Sequence, residues 1–73
     1  MNIVIKRASE LQPNDWLKVG YGVWSRVTEI KPLAGPENVV WYRNRVQIST
    51  REGSAYTLHV DDVVEVLPPG ETP

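Results

Sequence analysis

The chain of 73 residues contains no cysteine and no phenylalanine, and it has a single histidine. Without cysteine there is no disulfide, no thiolate nucleophile and no cysteine-ligated zinc site. One histidine is also too few for the usual zinc centres. We therefore expect a domain that needs no metal or cofactor and that depends on its hydrophobic core alone. A cysteine-free composition is typical of a reducing compartment, which predicts a cytoplasmic protein.

Long hydrophobic runs are missing as well. The N-terminal apolar run covers only Ile3 to Ile5, which is too short for a signal peptide, and no segment approaches the roughly 20 apolar residues of a membrane span. We expect no membrane partner. A chain of this length also leaves no room for a deep cleft, and His59 has the position of an ordinary surface strand residue. Because a catalytic histidine needs an orienting partner and a nucleophile, the sequence predicts a protein that is not an enzyme.

Basic residues are absent from the C-terminal third. Eight bases against four acids give +4 up to Arg51, and five acids without a base give −5 after it. The net charge of −1 therefore hides a cationic body and an anionic C-terminal part. Such an asymmetry indicates a charged partner surface.

The residues that are present favour strands. Valine is common, and three Trp and three Tyr accompany it, which suits a pleated, half-buried surface. The clearest element is a hairpin over residues 45–60, in which polar and apolar residues alternate on both sides of a loop that contains Gly53. The alternation predicts an inward-facing set on this hairpin. It comprises Val46, Ile48, Tyr56, Leu58 and Val60.

Four further segments have strand character, namely residues 2–6, 16–19, 23–31 and 63–67. In segment 23–31, Val23 and Val27 share one parity whereas Trp24 and Ile30 share the other, which predicts a strongly bent strand. Residues 39–50 exceed the usual strand length, so we expect a bulge or bend near residues 43–45.

Five to six short strands with close turns predict an all-β fold, a small and partly open antiparallel barrel. The barrel domain should span residues 1–67. Residues 68–73 contain three Pro, one Gly and one acid, and such a segment can neither pair in a sheet nor bury apolar area. It is predicted to be a disordered, Pro-rich acidic tail.

A family resemblance rests on turn residues. It is carried by residues 11–17 (LQPNDWL), by Gly22, by Arg26-Val27 with Ile30, and by residues 62–67 (DVVEVL). The pattern resembles SH3-like small β-barrels found among uncharacterised actinobacterial and phage proteins, and it covers about residues 8–67. Those proteins usually carry Gly where this chain has Asn14, which also accepts a left-handed turn. The resemblance implies a binding module, with a phage-type accessory protein as one version, because SH3-like barrels bind proteins, peptides or nucleic acids.

Candidate binding residues combine tryptophan with arginine. Trp24 and Arg26 form one pair, and Trp41 with Arg43 and Arg45 forms a second group on a strand expected to lie beside it. A bulge in the second strand would present Tyr42 in place of Trp41. Aromatic side chains with arginine are typical of protein interfaces and of single-stranded nucleic-acid platforms. The alternative is that both tryptophans belong to the core. For Trp16 we expect a place in the core or as a lid over it.

The partner class follows from charge. Nucleic-acid-binding domains are typically basic, and the isoelectric point here is about 5.7. We therefore expect protein–protein recognition through the aromatic and arginine surface, with single- or double-stranded nucleic acid on the same face as the alternative. Assembly of copies through the edge strands is also left open.

Overall fold

The structure, a computed structural model, describes residues 2–33 and 43–73. Within these ranges six antiparallel strands form one sheet in the order β1-β6-β2-β3-β4-β5. The strands are β1 (Val4–Arg7), β2 (Trp16–Gly20), β3 (Val23–Pro32), β4 (Arg45–Thr50), β5 (Ala55–His59) and β6 (Val63–Leu67). A single turn of 3-10 helix covers Ala8–Glu10, and no helix in the described part is long and apolar enough to span a membrane. The all-β prediction is confirmed, and the sheet is not closed, in keeping with a partly open barrel.

One apolar core lies on the inner face of the sheet. Its buried members are Ala8, Leu11, Leu17, Val27, Val46, Ile48 and Val66. The inward-facing set predicted for the hairpin is confirmed. Val46 and Ile48 are buried, and Tyr56, Leu58 and Val60 are partly buried and pack against the core.

Strand β3 is bent, as its mixed parity predicted. The register with β4 shifts between Val27 and Glu29, which makes Thr28 the extra, exposed residue. The Thr28 hydroxyl donates a hydrogen bond to the Ser49 carbonyl at 3.2 Å. Because an extra residue reverses the parity of everything after it, Val27 before the bulge and Ile30 after it both face the core.

The turn before β2 is organised around Asp15. Asn14 has a φ of 77°, the left-handed conformation that asparagine tolerates. Its N–H donates to the Val27 carbonyl, and the Val27 N–H donates to the Asp15 carbonyl, both at 2.8 Å. The fully buried Asp15 carboxylate accepts hydrogen bonds through Oδ2 from the Gln12 N–H at 2.9 Å and from Lys6 Nζ at 3.1 Å. This carboxylate therefore ties the turn to β1.

The bend expected near residues 43–45 is a turn. Asn44 has a φ of 55°, and β4 begins at the next residue. The Asn44 carbonyl accepts a hydrogen bond from the Val60 N–H at 2.8 Å, which anchors the turn beside the end of β5. The part of that prediction that concerns residues 39–42 lies outside the described residues.

A tight loop joins β4 to β5, where the sequence predicted a hairpin. Gly53 has a φ of 88°, and the Thr50 N–H donates to the Ser54 carbonyl at 2.9 Å. Hydrogen bonds from its own backbone N–H and from the Thr50 side chain lower the pKa of the exposed Glu52.

The C-terminal segment makes defined contacts. The Glu71 N–H donates to the Pro68 carbonyl at 3.2 Å, across a turn in which Gly70 has a φ of 95°. The Glu71 carboxylate accepts hydrogen bonds from the Asn2 N–H at 3.1 Å and from Asn2 Nδ2 at 2.9 Å. These contacts join the two ends of the described chain, and the disorder of residues 68–73 stays a prediction.

Candidate binding surface

Of the five predicted site residues, the four that the structure describes do not form one group. Trp24 and Arg26 lie in the first half of β3, before its bulge. Arg45 is the first residue of β4 and Arg43 lies in the turn before it, whereas Trp41 is outside the described residues. The carbonyl of Arg45 accepts a hydrogen bond from the N–H of Leu33, beyond the far end of β3. About 20 Å of strand, at about 3.3 Å per residue, separates this end from Arg26.

Trp24 and Arg26 instead face two side chains of β2. In the register of the antiparallel pair, Trp24 lies opposite Lys18 and Arg26 lies opposite Trp16. Residues opposite each other share one face of the sheet, and this face is the outer one because the intervening Leu17 is buried in the core. Aromatic and cationic side chains therefore alternate both along each strand and across the strand pair. We call Trp16, Lys18, Trp24 and Arg26 the β2–β3 surface.

A carboxylate on β6 partly offsets the positive charge of this surface. Lys18 Nζ lies 2.9 Å from Glu65 Oε2 and 5.9 Å from the centroid of the Tyr21 ring. Arg26 Nε is buried and has no hydrogen-bond partner among the described residues. Glu65 therefore offsets the charge of Lys18 at this surface.

Exposed apolar side chains gather around the same half of the sheet. In the described part of the chain, the exposed large apolar residues are Ile3, Ile5, Tyr21, Val23 and Val63. Tyr21 and Val23 lie at the tip of the β2–β3 hairpin, Ile3 directly precedes β1, and Ile5 and Val63 lie on β1 and β6. The outer face of β4 and β5, in contrast, carries mostly polar side chains. They include Arg45, Gln47, Ser49, Thr57 and His59.

Two members of the surface were missed from the sequence. Trp16 was expected in the core or as a lid over it, and it is half-buried on the face opposite Leu17. Lys18 was not predicted as a site residue. The alternation of Trp16, Leu17, Lys18 and Val19 held the necessary signal, because assigning Leu17 and Val19 to the core places the other two residues outside.

A small apolar pocket opens on the inner side of the sheet, between residues of β2, β5 and β6. Its volume is about 170 Å³, and its walls are Leu17, Lys18, Val19, Tyr56, Leu58 and Val64. Two of these side chains carry polar groups, the Lys18 ammonium and the Tyr56 hydroxyl, and the described residues that line the pocket include no carboxylate or imidazole. Away from the pocket, His59 Nδ1 accepts a hydrogen bond from the Asp61 N–H at 3.1 Å, within its own turn.

Metal dependence can be tested directly. Residues 2–33 and 43–73 bring together no group of three or more His, Asp or Glu side chains suited to a metal ion. We expect the melting temperature to be the same, to within a few degrees, with and without EDTA, because no described contact depends on a metal. A larger fall in EDTA, measured by circular dichroism, would contradict this prediction.

No protein-family model, curated protein or solved structure matches the chain.

Proposed function

We propose that this protein is a non-enzymatic binding module that recognises another protein through the β2–β3 surface. The observation that carries the proposal is the alternation of two tryptophans with two cations on neighbouring strands. Tryptophan and arginine are the residue types that most often dominate the binding energy of protein interfaces. Rigid, paired strands hold these side chains in place, so little conformational entropy is lost when a partner binds.

Two observations favour a protein over a nucleic acid as the partner. Glu65 offsets the charge of Lys18 at 2.9 Å, whereas affinity for nucleic acid depends on cations that are free to contact phosphates. The exposed Tyr21 ring, whose centroid lies 5.9 Å from Lys18 Nζ, also extends the surface in a way that suits a mixed protein interface. Nucleic acid remains the second candidate, because tryptophan rings beside Arg26 could stack on unpaired bases.

The other parts of the proposal rest on the sequence. The resemblance to SH3-like barrels of actinobacterial and phage proteins supports a binding role, and a phage-type accessory protein is the version we propose first. The absence of cysteine supports a cytoplasmic location. Arg43 and Arg45 lie at the far end of β3, so we assign them to a separate contact region, together with Trp41 if that side chain is presented beside them.

Charge reversal on the two halves of the sheet tests the proposal. Arg26→Glu is expected to weaken capture of a specific partner at least tenfold, because it reverses the charge at the centre of the β2–β3 surface. Trp24→Ala should have an effect of similar size. Lys31→Glu is the matched control, since Lys31 is exposed and lies beyond the bulge of β3. Quantitative pull-downs with the three variants and wild type measure the effect, and circular dichroism checks that each variant is folded.

A nucleic-acid titration runs beside the pull-down. Single-stranded oligonucleotides at two salt concentrations should bind no tighter than about 0.1 mM at physiological salt, the non-specific range. Sub-micromolar binding that weakens steeply with salt would contradict protein recognition and support the second candidate. Equal loss of capture with Arg26→Glu and Lys31→Glu would show that the β2–β3 surface is not the contact.

A further inference from the structure

An apolar patch lies at the β1 edge of the sheet. Ile3 and Ile5 are 45% and 63% exposed, and Val63 on the neighbouring β6 is 68% exposed. Ile5 pairs with Glu65, and Arg7 pairs with Val63, so the three apolar side chains are neighbours on the outer face. In the described sheet β1 pairs only with β6. An apolar face that continues to an open strand edge is a typical site for the addition of another strand.

The backbone of β1 directs hydrogen-bonding groups away from β6. The Arg7 N–H donates to Glu10 Oε1 at 2.8 Å, which lies off the β1–β6 ladder. In an antiparallel ladder the N–H and C=O of one residue point to the same edge, and those of the next residue point to the opposite edge. The backbone groups of Ile3 and Ile5 therefore point to the same edge as the Arg7 N–H, which the Glu10 side chain already satisfies.

We propose that a second copy of this chain pairs with that edge, as an antiparallel β1–β1 pair whose two-fold axis passes beside Ile5. In this register the two Ile5 residues lie opposite each other and exchange two backbone hydrogen bonds. Ile3 of each copy lies opposite Arg7 of the other, and Val4 lies opposite Lys6. No like charges face each other, whereas an axis beside Lys6 would place two lysines together.

Charge complementarity supports a second copy as the occupant. Arg7 of one copy would lie beside Ile3 of the other, next to Asn2, whose two N–H donors hold the Glu71 carboxylate. The pairing thus brings the basic N-terminal strand against the acidic C-terminal segment, and the two-fold axis makes the contact twice.

The dimer is independent of the proposed partner site. The β2–β3 surface is separated from the β1 edge by β6, so pairing through β1 leaves Trp24 and Arg26 accessible on both copies. Two binding surfaces on one particle increase the apparent affinity for a partner that carries repeated sites.

The test uses the self-pairing of Ile5. Because only residues 3–7 pair, the buried area should be well below the roughly 1,200 Å² of a standard interface. Wild type should therefore form a weak dimer that is half associated at a concentration on the order of 0.1 mM. Ile5→Lys and Ile5→Glu should each weaken association at least tenfold, because each places two like charges opposite one another. An equimolar mixture of the two variants should associate again as a heterodimer. Val23→Lys, at an exposed apolar site away from the edge, should dimerise like wild type.

Sedimentation equilibrium measures association, and native mass spectrometry identifies the heterodimer. The exposure of Ile5 makes both variants compatible with the fold, which circular dichroism confirms. A wild type that stays monomeric at 1 mM (about ten times the expected midpoint) would overturn the proposal. So would association that is unchanged by Ile5→Lys, or variants that fail to form a heterodimer when mixed. None of these outcomes bears on capture of a partner through Arg26.

Discussion

Replacing Asp15 with alanine is expected to lower the free energy of unfolding by about 2 to 4 kcal/mol. The Asp15 carboxylate is fully buried and accepts hydrogen bonds from the Gln12 N–H and from Lys6 Nζ. Alanine leaves both donors without their acceptor. The side chain of Lys6 is 24% exposed and can turn to water, so the cost should be smaller than for a fully buried pair. The loss is still a large share of the total free energy of unfolding of a domain of this size, roughly 5 kcal/mol.

Two further variants separate the roles of this carboxylate. Asp15→Asn keeps an oxygen that can accept from the Gln12 N–H and removes only the charge, so we expect about half the loss. Lys6→Met keeps the hydrogen bond from the Gln12 N–H to the buried carboxylate but removes the cation beside it. This variant should also destabilise the protein. Urea unfolding followed by circular dichroism gives the three values. A free energy of unfolding for Asp15→Ala within about 0.5 kcal/mol of wild type, the usual range for surface substitutions, would show that the carboxylate does not hold the turn.

The role of Asp15 also marks a limit of what the sequence predicts. The turn itself followed from Pro13 and Asn14, since both residue types have strong local backbone preferences. The burial of the carboxylate did not, because its cation, Lys6, lies on a separate strand. The approach of Lys6 to Asp15 depends on the pairing of β1 with β6 and of β6 with β2. Local spacing carries no information about such long-range register.

The hairpin of β4 and β5 was predictable for the opposite reason. Its alternation has a period of two, and the loop is short, so Ile48 and Tyr56 face each other by local rules alone. The bend in β3 was also visible, as a change of parity between Val27 and Ile30. The distance between Arg26 and Arg45 could not be predicted, because it depends on how far β4 extends along β3. The sequence predicted neighbouring strands correctly but could not give the position of Arg45 along them.

Truncation of Ile48 to alanine is the most destabilising core change that we expect, at about 3 to 4 kcal/mol. Ile48 is fully buried and lies opposite Ile30 on β3 and Tyr56 on β5. Its removal opens a cavity at the middle of the three-stranded half of the sheet, where main-chain pairing on both sides prevents collapse. At about 4 to 8 °C per kcal/mol for a domain of this size, the melting temperature should fall by about 12 to 32 °C.

Leu58→Ala is the matched comparison for this prediction. Leu58 is only partly buried and lines the apolar pocket beside Val64, so fewer contacts are lost when it is truncated. We expect a cost of about 1 to 2 kcal/mol, below the usual range for a fully buried leucine. Thermal melts and urea titrations of both variants give the comparison. A Leu58→Ala loss equal to that of Ile48→Ala would mean that the pocket is closed in solution and that β5 packs more tightly against β6 than the open sheet indicates.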